Sequence, residues 1–439
     1  MELKDKLLSS FMVFEDRLDD ESKNLNEIRN EAIKSFQQQG FPSKKDEDWK
    51  YTSLNALLKH DYCISPKHEP AVEFKDVKKY FIHDIDTYKI VFIDGKYSSF
   101  LSETTHDGID VCLMSSALNK PKYKIIIDSY YNKIAKKEHS LTSLNTAFAS
   151  EGAYIHIPKN KIVEKPIQII HFSTGNEATL LLQPRNLIIV GENSHVQIIE
   201  RHQSLTSNVV LTNSVTEVFA NKRAIVDYYK IQNDNQDASL IDNTYISQKQ
   251  SSHASVHTFA FGGKLVRNNL QFFQKGEHID STMKGITIIG DKQHVDHNTL
   301  VHHIEPNCES HQDYKGIFGD RSTGVFNGKV IVEKEAQKTN AFQANNNILV
   351  DDKATVNTKP QLEIFADDVK CSHGCTIGQL DKDALFYLRS RGIPAKEAKA
   401  LLMYAFANNV LESVKINAIK TRINKLIAQK LGVNLGFDL

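Results

Sequence analysis

The chain has 439 residues, with 54 basic and 54 acidic side chains and a formal net charge of zero. That balance gives no electrostatic footing for nonspecific binding to nucleic acid or to an anionic membrane. Hydrophobic residues make up 40% and charged residues 25%, an ordinary globular composition, and the length predicts two or three domains with a large buried core. Taken in order, the chain opens on the charged run Met1-Glu-Leu-Lys-Asp-Lys6, which has no apolar signal core. No apolar run is long enough to span a bilayer. Leu3, Leu7, Leu8, Phe11 and Phe14 repeat at helical spacing, as do Leu25, Ile28, Ala32 and Phe36. Two amphipathic helices are predicted, the second closed by Gly40 as a C-cap. Trp49, the only tryptophan, is read as an aromatic anchor in preference to a docking surface.

Residues 60–150 read as α/β. Tyr88–Tyr97 predicts two strands around an Asp94-Gly95 turn, and Lys124-Ile-Ile-Ile-Asp128 a further short strand. Leu141, Leu144 and Phe148 predict a helix ending near Gly152. The Gly-x-x-x-x-Gly-Lys-Ser/Thr phosphate loop is absent from the whole chain, which excludes ATP chemistry of the usual P-loop form.

From Tyr154 to Phe365 short strand-like runs alternate with turns such as Gly191-Glu-Asn, Asn221-Lys, Gly290-Asp, Gly319-Asp and Asp351-Asp-Lys. Small and apolar residues recur after the turns, at Ser194/Val196, Ala224/Val226, Ala254/Val256 and Ala354/Val356. Such imperfect repeats suit a β-solenoid better than a β-sandwich. His294, His297, His302 and His303, followed by Glu305, Cys308 and His311, offer metal-ligand chemistry. Strand alternation would instead divide them between two faces, and a polar face or ladder is the favoured reading. A zinc-dependent hydrolase built on this patch, or a carbohydrate-cleaving enzyme with clustered acids, is the competing functional class. Asp351 and Asp352 do not supply the second, because they fall in a predicted turn.

The most chemical stretch is Cys371-Ser372-His373-Gly374-Cys375. As a strand it places Cys371, His373 and Cys375 on one face; as a helix it keeps the two cysteines one turn apart. At most three ligands are present, whereas zinc and iron–sulfur sites take four, so a metal here needs a ligand from elsewhere. Packing alone is the bland alternative. The chain's five cysteines form no disulfide framework and fit a reducing, cytoplasmic setting. Beyond Asp381, an N-cap, helices are predicted over 382–391, from Pro394 through Val410, and over 417–431.

The runs Lys359-Pro-Gln-Leu-Glu-Ile, Asp367-Asp-Val-Lys-Cys-Ser-His-Gly, Gly378-Gln-Leu-Asp and Leu385-Phe-Tyr-Leu-Arg-Ser-Arg-Gly-Ile393 resemble the SufB/SufD family of iron–sulfur assembly scaffolds. Pro184-Arg-Asn, Gly262-Gly-Lys-Leu-Val-Arg-Asn268, Gln293-His-Val-Asp-His297, Tyr314-Lys-Gly316 and Ala336–Gln343 extend the resemblance over most of the chain, as do Glu47, Trp49, Tyr51 and Thr52. Cys-Ser-His-Gly and Leu388 follow the SufD pattern within the family, not that of the paralogue SufB; Cys375 departs from it, since many members have Ala there.

The resemblance implies a right-handed parallel β-helix core over 151–370, with an N-terminal helical and α/β region over 1–150 and a C-terminal helical domain over 371–439. It implies a noncatalytic scaffold that pairs with a SufB-like subunit and docks a SufC-like ATPase. It carries no resident cofactor, and a transient Fe–S cluster is handled in the complex. His373 is the expected ligand to that cluster, with Cys371 next and Cys375 after it. Tyr387, Arg389, Arg391 and Phe406 are the expected SufC contacts. Neither nucleic acid nor membrane is an expected partner. Self-association of the isolated chain would use an exposed solenoid edge.

Overall fold

The computed structural model describes residues 2–16, 23–64, 72–103, 108–135, 139–175 and 179–433. Its centre is a parallel β-solenoid. From His195 onward successive strands pass alternately between two sheets, so each coil adds one rung to both. The first sheet stacks His195–Ser204, Ile225–Gln232, His253–Ala260, Asp280–Ile289, Glu309–Phe318, Asn340–Leu349 and Lys370–Gly378. The second stacks Val210–Ala220, Ala238–Gln248, Leu265–Gln274, His294–His303, Thr323–Val332 and Thr355–Ile364. The expected turns make the corners. Asn193, Arg223, Ser251, His278, Asn307 and Lys338 take left-handed backbone at one of them, coil after coil. Of the small residues that follow, Ser194, Ala224 and Ala354 are buried just inside a corner. Ala254 is also buried, but it pairs with Val226, a step further along its strand than the sequence pattern implies.

The predicted hairpin at Tyr88–Ile93 and Lys96–Tyr97 forms, and its first strand adds a parallel rung beside Ile167–Ser173. The solenoid therefore draws on the N-terminal region, and it runs on through Gly378. The strand expected at Lys124–Asp128 is instead part of a helix, Pro121–Tyr130. Pro121 sits in its first turn, and Tyr123 and Ile127, four apart, are the buried pair, while Ile125 is 73% exposed. A β-branched run alone does not make a strand when only every fourth residue finds a core.

Each outer face of the solenoid is covered by helices. Leu3–Glu15, Lys23–Gln39 and Ser140–Phe148 lie on the second sheet, where Leu7, Phe11, Phe36 and Leu144 meet Leu211, Ile241 and Leu265. Gly40 closes the second helix with φ +68° and an N–H to the Phe36 carbonyl. Trp49 anchors the next segment: the Arg267 guanidinium stacks 3.9 Å from its ring and donates to the Asp48 carbonyl. After the last rung the chain folds back. Ala395–Glu412 and Asn417–Leu431 cover the first sheet, packing Met403, Ala407, Val410, Ile419, Ile423 and Ile427 on Tyr229, Ile231, Phe259, Ile286 and Ile317. No helix among the described residues is long and apolar enough to cross a membrane.

Asp227 fastens this return. It is 1% exposed and accepts hydrogen bonds from Lys415 (2.8 and 3.0 Å) and Ser255 (2.7 Å), with His195 at 3.1 Å. Burial pushes its carboxyl up, but these partners together outweigh burial and hold it down at about 2. A carboxyl depressed in the folded state adds stability in full above its unfolded value and loses it as pH falls through the folded value. Asp227→Asn is therefore expected to lower the unfolding free energy by about 2 kcal/mol at neutral pH. Urea titrations should show that difference shrinking between pH 4 and pH 2.

Candidate functional site

A stack of parallel rungs satisfies each strand from both sides except at its ends. At the C-terminal end the final rungs are Thr355–Ile364 and Lys370–Gly378, and among the described residues nothing pairs with their outer edges. No residue of either strand is buried. Parallel pairing directs the backbone groups of alternate residues to opposite neighbours. Lys370 donates to the Thr339 carbonyl, so the even-numbered residues after it also face the ladder. The N–H and C=O of Cys371, His373, Cys375 and Ile377 are left on the open edge. In the companion strand Thr355 donates to Ser322, which leaves Val356, Thr358, Pro360 and Leu362 on the edge. Pro360, with no N–H to give, sits where no ladder bond is lost.

The Cys-Ser-His-Gly-Cys segment thus adopts the extended one of its two alternatives. Cys371, His373 and Cys375 pair with Ala341, Gln343 and Asn345, all buried in the solenoid interior, and so present their side chains at its open mouth. Cys371 packs against the cluster of Val330, Val332 and Ala341, and burial pushes its thiol up. His373 stands at the end of a polar column: Thr299 donates to Gln312 (2.8 Å), Gln343 donates to Gln312 (3.3 Å), and His373 is next in register. Cys375 is exposed. The three are brought to one face of one strand, which supplies soft ligands but not a closed coordination shell.

The histidine-rich patch is divided by strand alternation. His297 and His303 point into the lumen, where they meet Thr287 (2.9 Å) and Ser310 (2.9 Å). Burial pushes His297 down to about 4 and His303 to about 3. His294, His302 and His311 lie on outer faces, against Thr52, Glu333 and the Phe342 ring. Cys308 is a buried corner thiol donating to the Gly276 carbonyl. The patch is a set of separate polar contacts, not a convergent site.

In the C-terminal region Asp381 caps helix Lys382–Ser390, accepting from the Asp383 and Ala384 amides. None of that helix's residues is buried; Phe386 is 74% exposed and Tyr387 56%. Arg391 lies over the Tyr387 ring and donates to its hydroxyl, and Arg389 is exposed beside them. Phe406 is partly buried in the contact between helix and sheet, where Lys315 stacks on its ring and donates to its carbonyl.

Sequence reasoning missed one group. His171, Glu200 and His202 come together inside the solenoid with their ligand atoms within 4.8 Å of one another. The signal was Glu-x-His on a strand, with a second histidine one coil earlier, and it is visible only once the register is known.

The chain matches the SUF system FeS cluster assembly SufBD core domain over residues 171–406, and the SufBD protein N-terminal region over 1–169. An iron–sulfur cluster assembly SufBD family protein of Synechocystis is 30% identical over 395 residues, covering 88% of this chain and 87% of its own length. The iron–sulfur cluster assembly protein SufD of Escherichia coli is 28% identical over 400 residues, covering 89% and 90%. The assembly protein SufB of Bacillus subtilis is 24% identical over 419 residues, covering 94% and 81%.

Exposure and burial set an order of thiol reactivity. Burial pushes both Cys112 and Cys308 up to about 11, whereas Cys375 stands in solvent. Brief maleimide treatment of the native chain, read by peptide mass spectrometry, is expected to label Cys375 first and Cys371 later. Cys112 and Cys308 should label only on unfolding.

Proposed function

This chain belongs to the SufB/SufD family of iron–sulfur cluster assembly proteins, and from that premise we propose that it is a noncatalytic, SufD-type scaffold subunit of a SufBCD-type complex. The observation that carries the reading is the unpaired terminal rung. Two exposed strand edges, one in each sheet, ask for a partner strand in each. A SufB-like subunit with the same architecture would supply them, and the junction would enclose the lumen mouth where Cys371, His373 and Cys375 stand. The nascent cluster is cargo at that junction. His373 is its ligand from this side, Cys371 a second donor and Cys375 a third, with the remaining ligands coming from the partner. In the absence of SufB the same edges would pair two copies of this chain.

The exposed helix Lys382–Ser390 is the proposed dock for a SufC-like ATPase, through Tyr387, Arg389 and Arg391. Aromatic and arginine side chains on an uncovered helix are the composition of an interface centre. Phe406 contributes by holding the neighbouring helix to the sheet. ATP hydrolysis belongs to that partner, and a cytoplasmic complex fits the composition. The mechanical role follows from the connectivity: the docking helix leaves the last rung after only a short link, Gln379–Asp381. A movement of the ATPase would bear directly on the strand that carries His373.

Three variants separate these roles. Co-purification from the native host, with anaerobic iron and sulfide analysis, is expected to recover a SufB-like subunit and an ATPase with the wild type. His373→Ala should keep both partners and lose most of the iron and sulfide. Ile377→Pro, which removes an edge N–H but no ladder bond, should lose SufB while melting like the wild type. Arg391→Glu should lose the ATPase alone. A His373→Ala complex with undiminished cluster would refute the ligand assignment; recovery of the chain without partners would refute the scaffold.

A further inference from the structure

The solenoid interior holds a charge imbalance well away from the open rung. Glu200 is 2% exposed and its Oε2 accepts from the Tyr228 hydroxyl (2.8 Å) and lies 3.1 Å from the Lys230 ammonium. Lys230 is also bound to Asp242 at 2.6 Å. Two buried carboxylates therefore share one buried ammonium. The other carboxylate oxygen of Glu200, Oε1, takes one long bond from Asn186 (3.3 Å) and otherwise faces two imidazoles. His202 Nε2 is 3.4 Å away and His171 Nε2 4.0 Å.

Both rings are more than nine-tenths buried. Neither Nε2, nor the Nδ1 of His202, has a hydrogen-bond partner among the described residues. Buried polar atoms without partners are rare, and they commonly mark an unseen water or ion. The rings stack 4.6 Å apart with 7° between their planes, in one column with Phe92. One ligand atom from each of His171, Glu200 and His202 lies within 4.8 Å of the others, and binding an ion would require the rings to turn about the soft Cβ–Cγ torsion so that their lone pairs converge.

We propose that His171, Glu200 and His202 bind one divalent first-row transition ion, Fe(II) or Zn(II), inside the solenoid. Two imidazoles and one carboxylate oxygen are a donor set these ions favour, with water taking the remaining position as in open three-ligand sites. Tyr228 and Lys230 hold the other oxygen of Glu200 and fix the carboxylate's orientation. The cation removes the surplus negative charge, which is otherwise costly in a buried site. This site is separate from His373 and does not depend on the scaffold reading.

The test uses the full chain with Cys371→Ser, His373→Ala and Cys375→Ser, which removes the ligands of the open rung. The protein is expressed in medium supplemented with Zn(II), or with Co(II) as a spectroscopic stand-in, dialysed against chelator, and passed through gel filtration. Metal is then measured on the folded fraction. The expected result is one chelator-resistant ion per chain, with Co(II) d–d absorption. His171→Phe and His202→Phe, which continue the stacked column begun by Phe92, should lose the ion while remaining folded. Their affinity should fall by more than the roughly 10–100-fold typical of losing an outer-shell partner. A parent protein that retains no metal would overturn the proposal, with water filling the site instead. So would Phe variants that retain as much metal as their parent.

Discussion

A parallel β-ladder has to end, and its last rung leaves a row of backbone donors and acceptors without partners. Most of this molecule's organisation answers to that constraint. The two outer faces are closed by helices, those of the N-terminal region on one sheet and those of the C-terminal region on the other. The C-terminal edge is not closed. Its strands carry one proline, at a position whose missing N–H weakens no internal bond, and among the described residues no strand pairs with their outer edges. The chain turns back from that edge to cover the first sheet, so the exposed helix that follows is tied closely to the exposed strand. Edge, lumen mouth and exposed helix form one connected element.

The lumen changes character along its length. In the early coils it is aliphatic and aromatic, with Ile90, Ile155, Ile169, Ile188 and Ile198 in contact. Later coils place Gln312, Gln343, Asn345 and Asn347 inside, each with a hydrogen bond to a neighbour. The polar column ends one rung before His373, which follows Gln343 in register. On the same early coils as Ile169 and Ile198 lies the Glu200–Lys230–Asp242 group, where two buried carboxylates share one ammonium. Buried ion pairs of this kind contribute little net stability, so their presence calls for another explanation.

Much of the fold was legible locally. Helical spacing found Leu3–Glu15, Lys23–Gln39, Ser140–Phe148 and the three C-terminal helices, because an amphipathic face repeats within a few residues. Asp381 and Gly40 marked their caps. Strand alternation was enough to divide His294 from His297, and it offered one face to Cys371, His373 and Cys375. It failed at Lys124–Asp128, where an isoleucine run met a core on one side only. The resemblance to Suf scaffolds contributed the architecture that composition and periodicity left open between solenoid and sandwich.

The sequence by itself determined which segments are strands or helices, where corners fall, and which residues of a strand share a face. These are properties of neighbours a few positions apart. The tertiary structure alone decided which of the two faces is the lumen and which coil is uncovered. It also decided which residues from different coils meet. His171 stacks on His202, and His373 follows Gln343, only because each corner takes up a particular number of residues and so fixes the register between rungs. A change of one residue at a corner would turn every side chain of the next strand to the opposite face, and nothing local in the strand would record it.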